Sequence, residues 1–399
     1  MNHPEQLFER FRQERSQLEQ SVEALKRTLS CYDGLALYGA GSSGIALLLA
    51  LQRAGISPLC FSDGAPEKWG TVCMGLPVIP PQVLVQRYGS RILVVVCINT
   101  DGKIYCRSFD EALRQGGHNA VHQRLHECGC RHVVDYIALR RCFELFCGDN
   151  TGNLPSCPDV DDILMHRREI VTVYNRLADA RSCAIYANLL AFRLFGESNE
   201  IETLPQEEKY FPRELFRLTG EEVLVDCGAF DGQTLRDLLS ETEGKIGAYY
   251  GLEPDSENYA RLEQTVAGLT EDIRSKTVLS PCAAWRDSGG MLLYALHGPG
   301  SFAAPYGETR VPTITIDRFL DGRQATVIKM NIEGSELAAL DGAAETIRRW
   351  HPKLMVAGYH KTWDFWEIPL RMLEAGYSVY LRSYMHHLSF VFYGISNFI

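Results

Sequence analysis

Several short stretches of the sequence bring together side chains that could do chemistry. In VDCGAFDGQT, residues 225–234, a β-rich run ends in Asp226, turns through Gly228 and Gly232, and enters a helix at Thr234. Glycine suits a backbone that must turn left-handed or lie close to a ligand, and a new helix offers free NH groups and a positive dipole to an anion. Glu253, in GLEP, closes the next strand, where a carboxylate can accept two hydrogen bonds from a ribose diol. Farther along, IKMNIEGSEL sets Asn331, Glu333 and Glu336 at another strand end, and GYHKTW sets Tyr359, His360 and Trp363 at a third. Glu333 is expected to face the cleft beyond the strand ends. Asn331 can orient a group but cannot accept a proton. Glu336 falls in a first helical turn, which favours a carboxylate whatever its chemistry. His360 could take the proton of a substrate hydroxyl or be a core histidine satisfied by backbone. Tyr359 and Trp363 could line an acceptor pocket or pack in the core.

A second glycine-rich turn, YGAGSSG, residues 38–44, follows the GxGxxG pattern between a strand and a helix, and Asp63 ends the next strand. Gly39, Gly41, Gly44 and Asp63 are therefore a candidate second nucleotide site. No Tyr/Lys pair of a dehydrogenase accompanies it, so ligand binding and a purely architectural role both stay open. His118, His122 and His126 recur every fourth residue on one helix. Imidazoles so spaced can chelate zinc, but Cys128, Cys130 and His132 complete no closed zinc pattern, and no metal is expected.

These residues need two sheets to position them. From Leu35, strands alternate with helices as in a parallel α/β sheet, through LALYGA, PLCFSD, RILVVVCIN and RHVVDYI. A second α/β series starts at EEVLVDCGAF and runs to the end. Residues 4–29 form one amphipathic helix, with Leu7, Phe11, Leu18, Val22, Leu25 and Leu29 on its apolar side. It could pack on the next domain or pair with a second copy to make a homodimer. The expected division is an N-terminal helix at 1–30, a Rossmann-like domain at 31–140, a helical connector at 141–215 and a second Rossmann-like, doubly wound domain at 216–399. The polar, glycine- and proline-rich passage LHGPGSFAAPYGETRVP, residues 296–312, is expected to be a mobile loop over the acceptor.

Bulk properties exclude several classes of function. No apolar run approaches the roughly 20 residues of a membrane span, and the N-terminal residues lack the apolar core of a signal peptide, so a cytoplasmic protein is expected. A net charge of -10 without a basic block argues against nucleic acid as a partner. The 13 cysteines, odd in number and scattered through apolar stretches, fit reduced thiols better than a disulfide framework.

VDCGAFDGQT and the acidic GLEP resemble the first motif and acidic loop of class I S-adenosylmethionine-dependent methyltransferases. With CAAW, TIDRF, IKMNIEGSELAALDGA, PKLMVAGYHKTWDFWEIP and GYSVYLRSY following in order, residues from about 200 onward are similar to the FkbM family in particular. The resemblance implies a class I methyltransferase fold and S-adenosyl-L-methionine as cofactor. Asp226, Gly228, Ala229, Phe230, Asp231 and Gly232 would wrap its methionine end, Glu253 would hold the ribose, and Ala283 and Ala284 would lie beside the adenine. It further implies O-methylation of a hydroxyl on a saccharide or secondary metabolite, with Glu333, His360 and Asn331 as the catalytic candidates. The family pattern usually has aspartate where Asn331 stands, which keeps open an alternative: a nucleotide-sugar-binding protein whose methyltransferase-like domain is inactive. The first domain, including GLPVIPP, resembles the Rossmann-like module found beside sugar-modifying and C-methyl-transferring enzymes, which implies a nucleotide or nucleotide-sugar partner.

Overall fold

The computed structural model describes residues 3–53, 55–98, 120–135, 160–195, 203–205, 209–215, 217–295, 302–303, 309–384 and 389–396. The chain divides into two compact units, one of Met1–Arg167 with Ala187–Glu200 and one of Arg168–Tyr186 with Ile201–Ile399. The helices of the stretch read as a connector are shared between the two. No described helix is long and apolar enough to cross a membrane.

The first unit opens with α1 (Pro4–Leu29), whose start is fixed by His3 accepting from the Glu5 NH and by Gln6 reaching back to the His3 NH. Leu7 and Phe11 are buried at its N-terminal end, where Phe11 meets Phe195 with ring centroids 5.9 Å apart. Next come β1 (Gly34–Tyr38), α2 (Ser42–Arg53), β2 (Cys60–Ser62), β3 (Val72–Cys73), β4 (Leu76–Ile79), α3 (Leu84–Tyr88), β5 (Ile92–Val96), α4 (Ala120–Glu127), β6 (His132–Asp135) and α5 (Val160–Met165). The sheet order is β3-β4-β2-β1-β5-β6, parallel apart from the β3–β4 hairpin. Strands β1 and β5 read as nearly continuous apolar runs because helices cover both faces of such a sheet.

In the second unit α6 (Arg167–Arg176) and α7 (Ala180–Phe195) precede the main sheet; Arg167 and the residues of α7 beyond Tyr186 group with the first unit. Strands β7 (Val223–Cys227), β8 (Ala248–Leu252) and β9 (Thr277–Ser280) alternate with α8 (Gln233–Glu241), α9 (Ser256–Ala267) and α10 (Glu271–Ser275). A small sheet of β10 (Ala283–Ala284), β11 (Met291–Ala295), β12 (Phe302–Ala303) and β13 (Thr309–Ile314) follows, in the order β10-β13-β11-β12. The chain then runs through α11 (Ile316–Leu320), β14 (Val327–Met330), α12 (Glu336–Asp341), α13 (Ala344–Trp350), β15 (Lys353–Ala357), α14 (Asp364–Glu374), β16 (Tyr377–Ser383) and β17 (Phe390–Ser396).

The seven-stranded order is β16-β17-β15-β14-β7-β8-β9, with β17 antiparallel between β15 and β16. After β7 the chain winds toward one edge, and after β14 toward the other. A crevice therefore opens at the C-terminal ends of β7 and β14, the switch point where open α/β sheets bind ligands. Register matters here: Asp226 pairs with Lys329 and Cys227 with Met330 across these two strands.

Three expectations need correction. TVLSPCAAW reads from its sequence as one strand but forms β9 and β10, because Pro281 has no NH to continue the ladder. SELAALDGAAETIRRW reads from its sequence as one helix but breaks into α12 and α13 at Gly342, which packs so closely on the Trp285 carbonyl that a Cβ would overlap it. The described parts of 296–312 are strand: β12 and the start of β13, both paired with β11. Residues 296–301 and 304–308 of that passage lie outside the described residues.

Candidate functional site

The loop after β7 is held by its backbone. Gly228 and Ala229 donate their NH groups to the Leu252 carbonyl at 2.9 and 3.0 Å, fastening the turn to the end of β8. Gly228 (φ 77), Phe230 (φ 51) and Gly232 (φ 84) are all left-handed, which for a phenylalanine is a strained conformation of the kind found at functional sites. A Cβ at Gly228 would overlap the carbonyl oxygen of Asn331, so glycine is required for the turn to nest against the end of β14.

Glu253 is buried and tied into the same turn. Its Oε2 accepts from the Phe230 NH at 2.9 Å and its Oε1 from the Asp255 NH at 3.0 Å. Burial raises its pKa despite these bonds. Asp231 turns away, accepting from the Gln233 NH at 3.1 Å and pairing with Arg236 at 3.0 Å, and so organises the start of α8. Ala229 is buried within the loop, and Ala283 and Ala284 are buried in β10 beside β13.

Asp226 is wholly buried, and the β7–β14 register explains its neighbour. Lys329 Nζ lies 2.9 Å from its Oδ1, while Tyr249 OH donates to Oδ2 at 2.9 Å. Lys329 also donates to the carbonyls of Gly228 at 2.7 Å and Cys227 at 3.3 Å. Asp226 therefore acts as the internal anchor of the glycine turn, its carboxylate committed to protein partners.

At the ends of β14 and β15 a charged row forms. His360, 3% exposed, has Nδ1 2.8 Å from Glu336 Oε1 and Nε2 3.4 Å from Glu333 Oε1, with neither pair aligned as a hydrogen bond, so the attraction is between charges. Burial opposes a proton on His360, but Glu336 and Glu333 outweigh it and lift the pKa well above 6.5. The two carboxylates thus favour the protonated form of His360. Burial would raise Glu333 in turn, but His360 outweighs it and holds Glu333 below the ordinary carboxylate value. Glu333 sits at φ 53, a second strained residue at the crevice, with its side chain 31% exposed. Glu336 is fully buried and accepts from the NH groups of Ile332 at 2.8 Å and Gly334 at 2.9 Å, bending the loop back upon α12.

Asp364 completes the cluster. Burial, then Glu336, pushes its pKa up to about 8, while its Oδ2 accepts from the Lys361 NH at 2.8 Å. Glu336, His360 and Asp364 have ligand atoms within 4.8 Å of one another. Both Glu336 oxygens are taken by backbone NH groups, so this carboxylate holds the loop geometry.

Two residues absent from the sequence-based candidates enter the site from the stretch before β7. Lys209 Nζ donates to Tyr359 OH at 3.3 Å, and Tyr359 OH donates to Asn331 Oδ1 at 3.1 Å. Tyr210 lies under two ammonium groups, with Lys329 5.1 Å and Lys209 5.4 Å from its ring centroid. Trp363 stands at the start of α14, half-buried, with Lys361 Nζ 5.8 Å from its ring centroid.

The first glycine turn is built differently. Gly44 packs against the Gly39 carbonyl with no room for a Cβ, Gly39 has φ 112, and a Cβ on Gly41 would meet nothing within 4 Å. Asp63 accepts from the NH groups of Ala40 at 2.8 Å and Ala65 at 2.9 Å and pairs with Lys68 at 3.0 Å. The histidine row is dispersed: His122 is buried 3.7 Å from Asp135, His126 Nδ1 contacts the Cys130 carbonyl at 2.8 Å, and His118 lies outside the described residues.

The strand order of the second unit with its single antiparallel strand, and Glu253 fastened to the glycine turn after β7, are those of the class I methyltransferase fold. A family model for the methyltransferase FkbM domain matches residues 226–391. Among solved structures, methyltransferase FkbM from Methylobacillus flagellatus KT is 21% identical and aligns over 96% of this chain and 99% of its own with a TM-score of 0.63. An rRNA methylase from Streptococcus thermophilus is 12% identical, with a TM-score of 0.30 over 45% of this chain and 89% of its own. No curated protein matches the chain significantly.

Proposed function

We propose that the chain is an S-adenosylmethionine-dependent methyltransferase acting on a hydroxyl of a saccharide or related secondary metabolite. The observation that carries the donor is Glu253: a buried carboxylate at the tip of β8, clasped by the Phe230 NH, with lone pairs left for a ribose diol. Gly228 and Gly232 give the backbone left-handed turns that suit the cofactor's amino-acid end, and the small side chains of Ala283 and Ala284 suit an adenine wall. When bound, the cofactor supplies a methyl group already activated on a sulfonium sulfur.

Positioning then accounts for most of the acceleration, and a modest base is enough. Glu333 is that base. Its carboxylate would take the proton of the acceptor hydroxyl as that oxygen is methylated. His360, in its favoured protonated form, holds Glu333 in place instead of competing for the proton. Asn331 orients the acceptor side through Tyr359. The saccharide comes from the family resemblance and the companion domain, in which Gly39, Gly41, Gly44 and Asp63 would take a nucleotide or nucleotide sugar.

Isothermal calorimetry with S-adenosylhomocysteine tests the donor. Glu253→Ala should weaken binding by about 100-fold, the loss of two hydrogen bonds to a charged group; a native protein that does not bind it refutes the proposal. The neutral Asn331 favours one second reading, an inactive methyltransferase domain in a nucleotide-sugar-binding protein. Binding of a UDP-sugar lost in Asp63→Ala, with no methyl transfer to saccharide acceptors, would select it.

A further inference from the structure

The carboxylates of the crevice are engaged by protein groups: Asp226 by Lys329 and Tyr249, Glu336 by two backbone NH groups and His360, and Glu333 by His360. Lys209 stands apart. Among the described residues no carboxylate lies within 4.0 Å of its ammonium, whose only hydrogen bond goes to Tyr359 OH. Its main chain is fastened, because the Lys209 carbonyl accepts from Tyr393 OH. Lys329, ion-paired with Asp226, approaches the same Tyr210 ring, which sets two like charges close together. Asn331, reached through Tyr359, adds an oxygen without a charge.

We propose that Lys209, with Tyr210, Tyr359 and Asn331 around it, receives one carboxylate of a molecule bound in the crevice. Among the described residues Glu333 is the acidic group whose charge acts on this ammonium, and it is itself paired with His360, so a monoanion arriving at Lys209 would find its charge largely unspent. The cost of keeping this ammonium half-buried is already visible, since burial and then Lys329 push its pKa down to about 8, and an arriving carboxylate would relieve both. Two molecules could bring that group: the methyl donor, through its amino-acid end, or an acidic saccharide acceptor such as a uronic acid. This site rests on the methyltransferase reading.

Calorimetry on the full chain separates the sources. Three probes are titrated into native protein, Lys209→Gln and Lys209→Arg: S-adenosylhomocysteine, 5′-methylthioadenosine, which lacks the amino-acid end, and glucuronate added to the S-adenosylhomocysteine complex. If the donor's carboxylate sits there, Lys209→Gln weakens S-adenosylhomocysteine about tenfold or more and leaves methylthioadenosine unchanged. If the acceptor's does, S-adenosylhomocysteine is unchanged and glucuronate binding is lost. Lys209→Arg, which keeps the charge, should stay within a few-fold of native in either case. Equal losses for both nucleosides, or no effect of Lys209→Gln on any probe, overturns the site while the donor reading stands. Failure of native protein to bind either nucleoside overturns the donor reading and the site together.

Discussion

Replacing Glu336 with glutamine should reveal how much the bent loop after β14 depends on one side chain. The carboxylate is fully buried and has three partners, the Ile332 and Gly334 NH groups and His360 Nδ1, at 2.8, 2.9 and 2.8 Å. Glutamine offers one oxygen. If that oxygen stays on Ile332, the amide NH2 faces the Gly334 NH, donor against donor, and His360 loses a charge. One charge-assisted bond lost and one buried NH left unpaired come to about 3 kcal/mol. For a domain of this size that is roughly 6–12 °C in the melting transition. The pH dependence should change as well. A histidine whose folded pKa is raised contributes stability that is complete below its ordinary value near 6.5 and is lost as pH climbs through the folded value. Native protein should therefore lose melting temperature on the alkaline side, and Glu336→Gln, with the His360 value drawn back toward normal, should lose less. Scanning calorimetry of both proteins between pH 6 and 10 measures each effect. A drop below about 2 °C at neutral pH, or equal alkaline slopes, would refute the reasoning.

Gly228→Ala should lower the melting temperature of the second unit by several degrees and abolish S-adenosylhomocysteine binding, since the new Cβ overlaps the Asn331 carbonyl at a φ of 77. Gly41→Ala, with nothing within 4 Å of its Cβ, should melt like native protein, so any loss of nucleotide binding there would report a ligand and not the fold. Asp364→Asn should outlast native protein in alkali. A carboxyl whose folded pKa is raised from 3.8 to about 8 gives stability present below 3.8 that is lost as pH rises through that window, and the amide has nothing to lose. Melting temperatures of the two proteins should diverge from pH 4 to 8 and run parallel above it; no divergence would show that Asp364 ionises normally.

The sheet of the second unit was legible because several of its strands are short apolar runs closed by Gly228 after β7, Glu253 after β8, Pro281 after β9 and Gly358 after β15. The meeting of Asn331, Glu333 and His360 followed from their places at the ends of β14 and β15. Lys209 and Tyr210 were not legible. They lie in ESNEIETLPQEEKYFP, which has no periodicity and reads as connector, and only the fold brings Lys209 and Tyr210 to Tyr359 and Lys329. Lys329 did leave a signal: a lysine inside the buried run VIKM is costly unless paired, and the partner is the register neighbour Asp226. The preference of His360 for its protonated form could not be read at all, because Glu336 and Glu333 reach it from a segment more than twenty residues away.

The absence of a side chain at Gly228 also has a mechanical meaning. The turn after β7 and the turn after β14 touch main chain to main chain, with no flexible group between them to absorb a displacement. Tilting one requires the other to yield. Were each turn to take a ligand, any coupling through this joint would be symmetric: whatever factor the first applied to the affinity of the second, the second would return to the first.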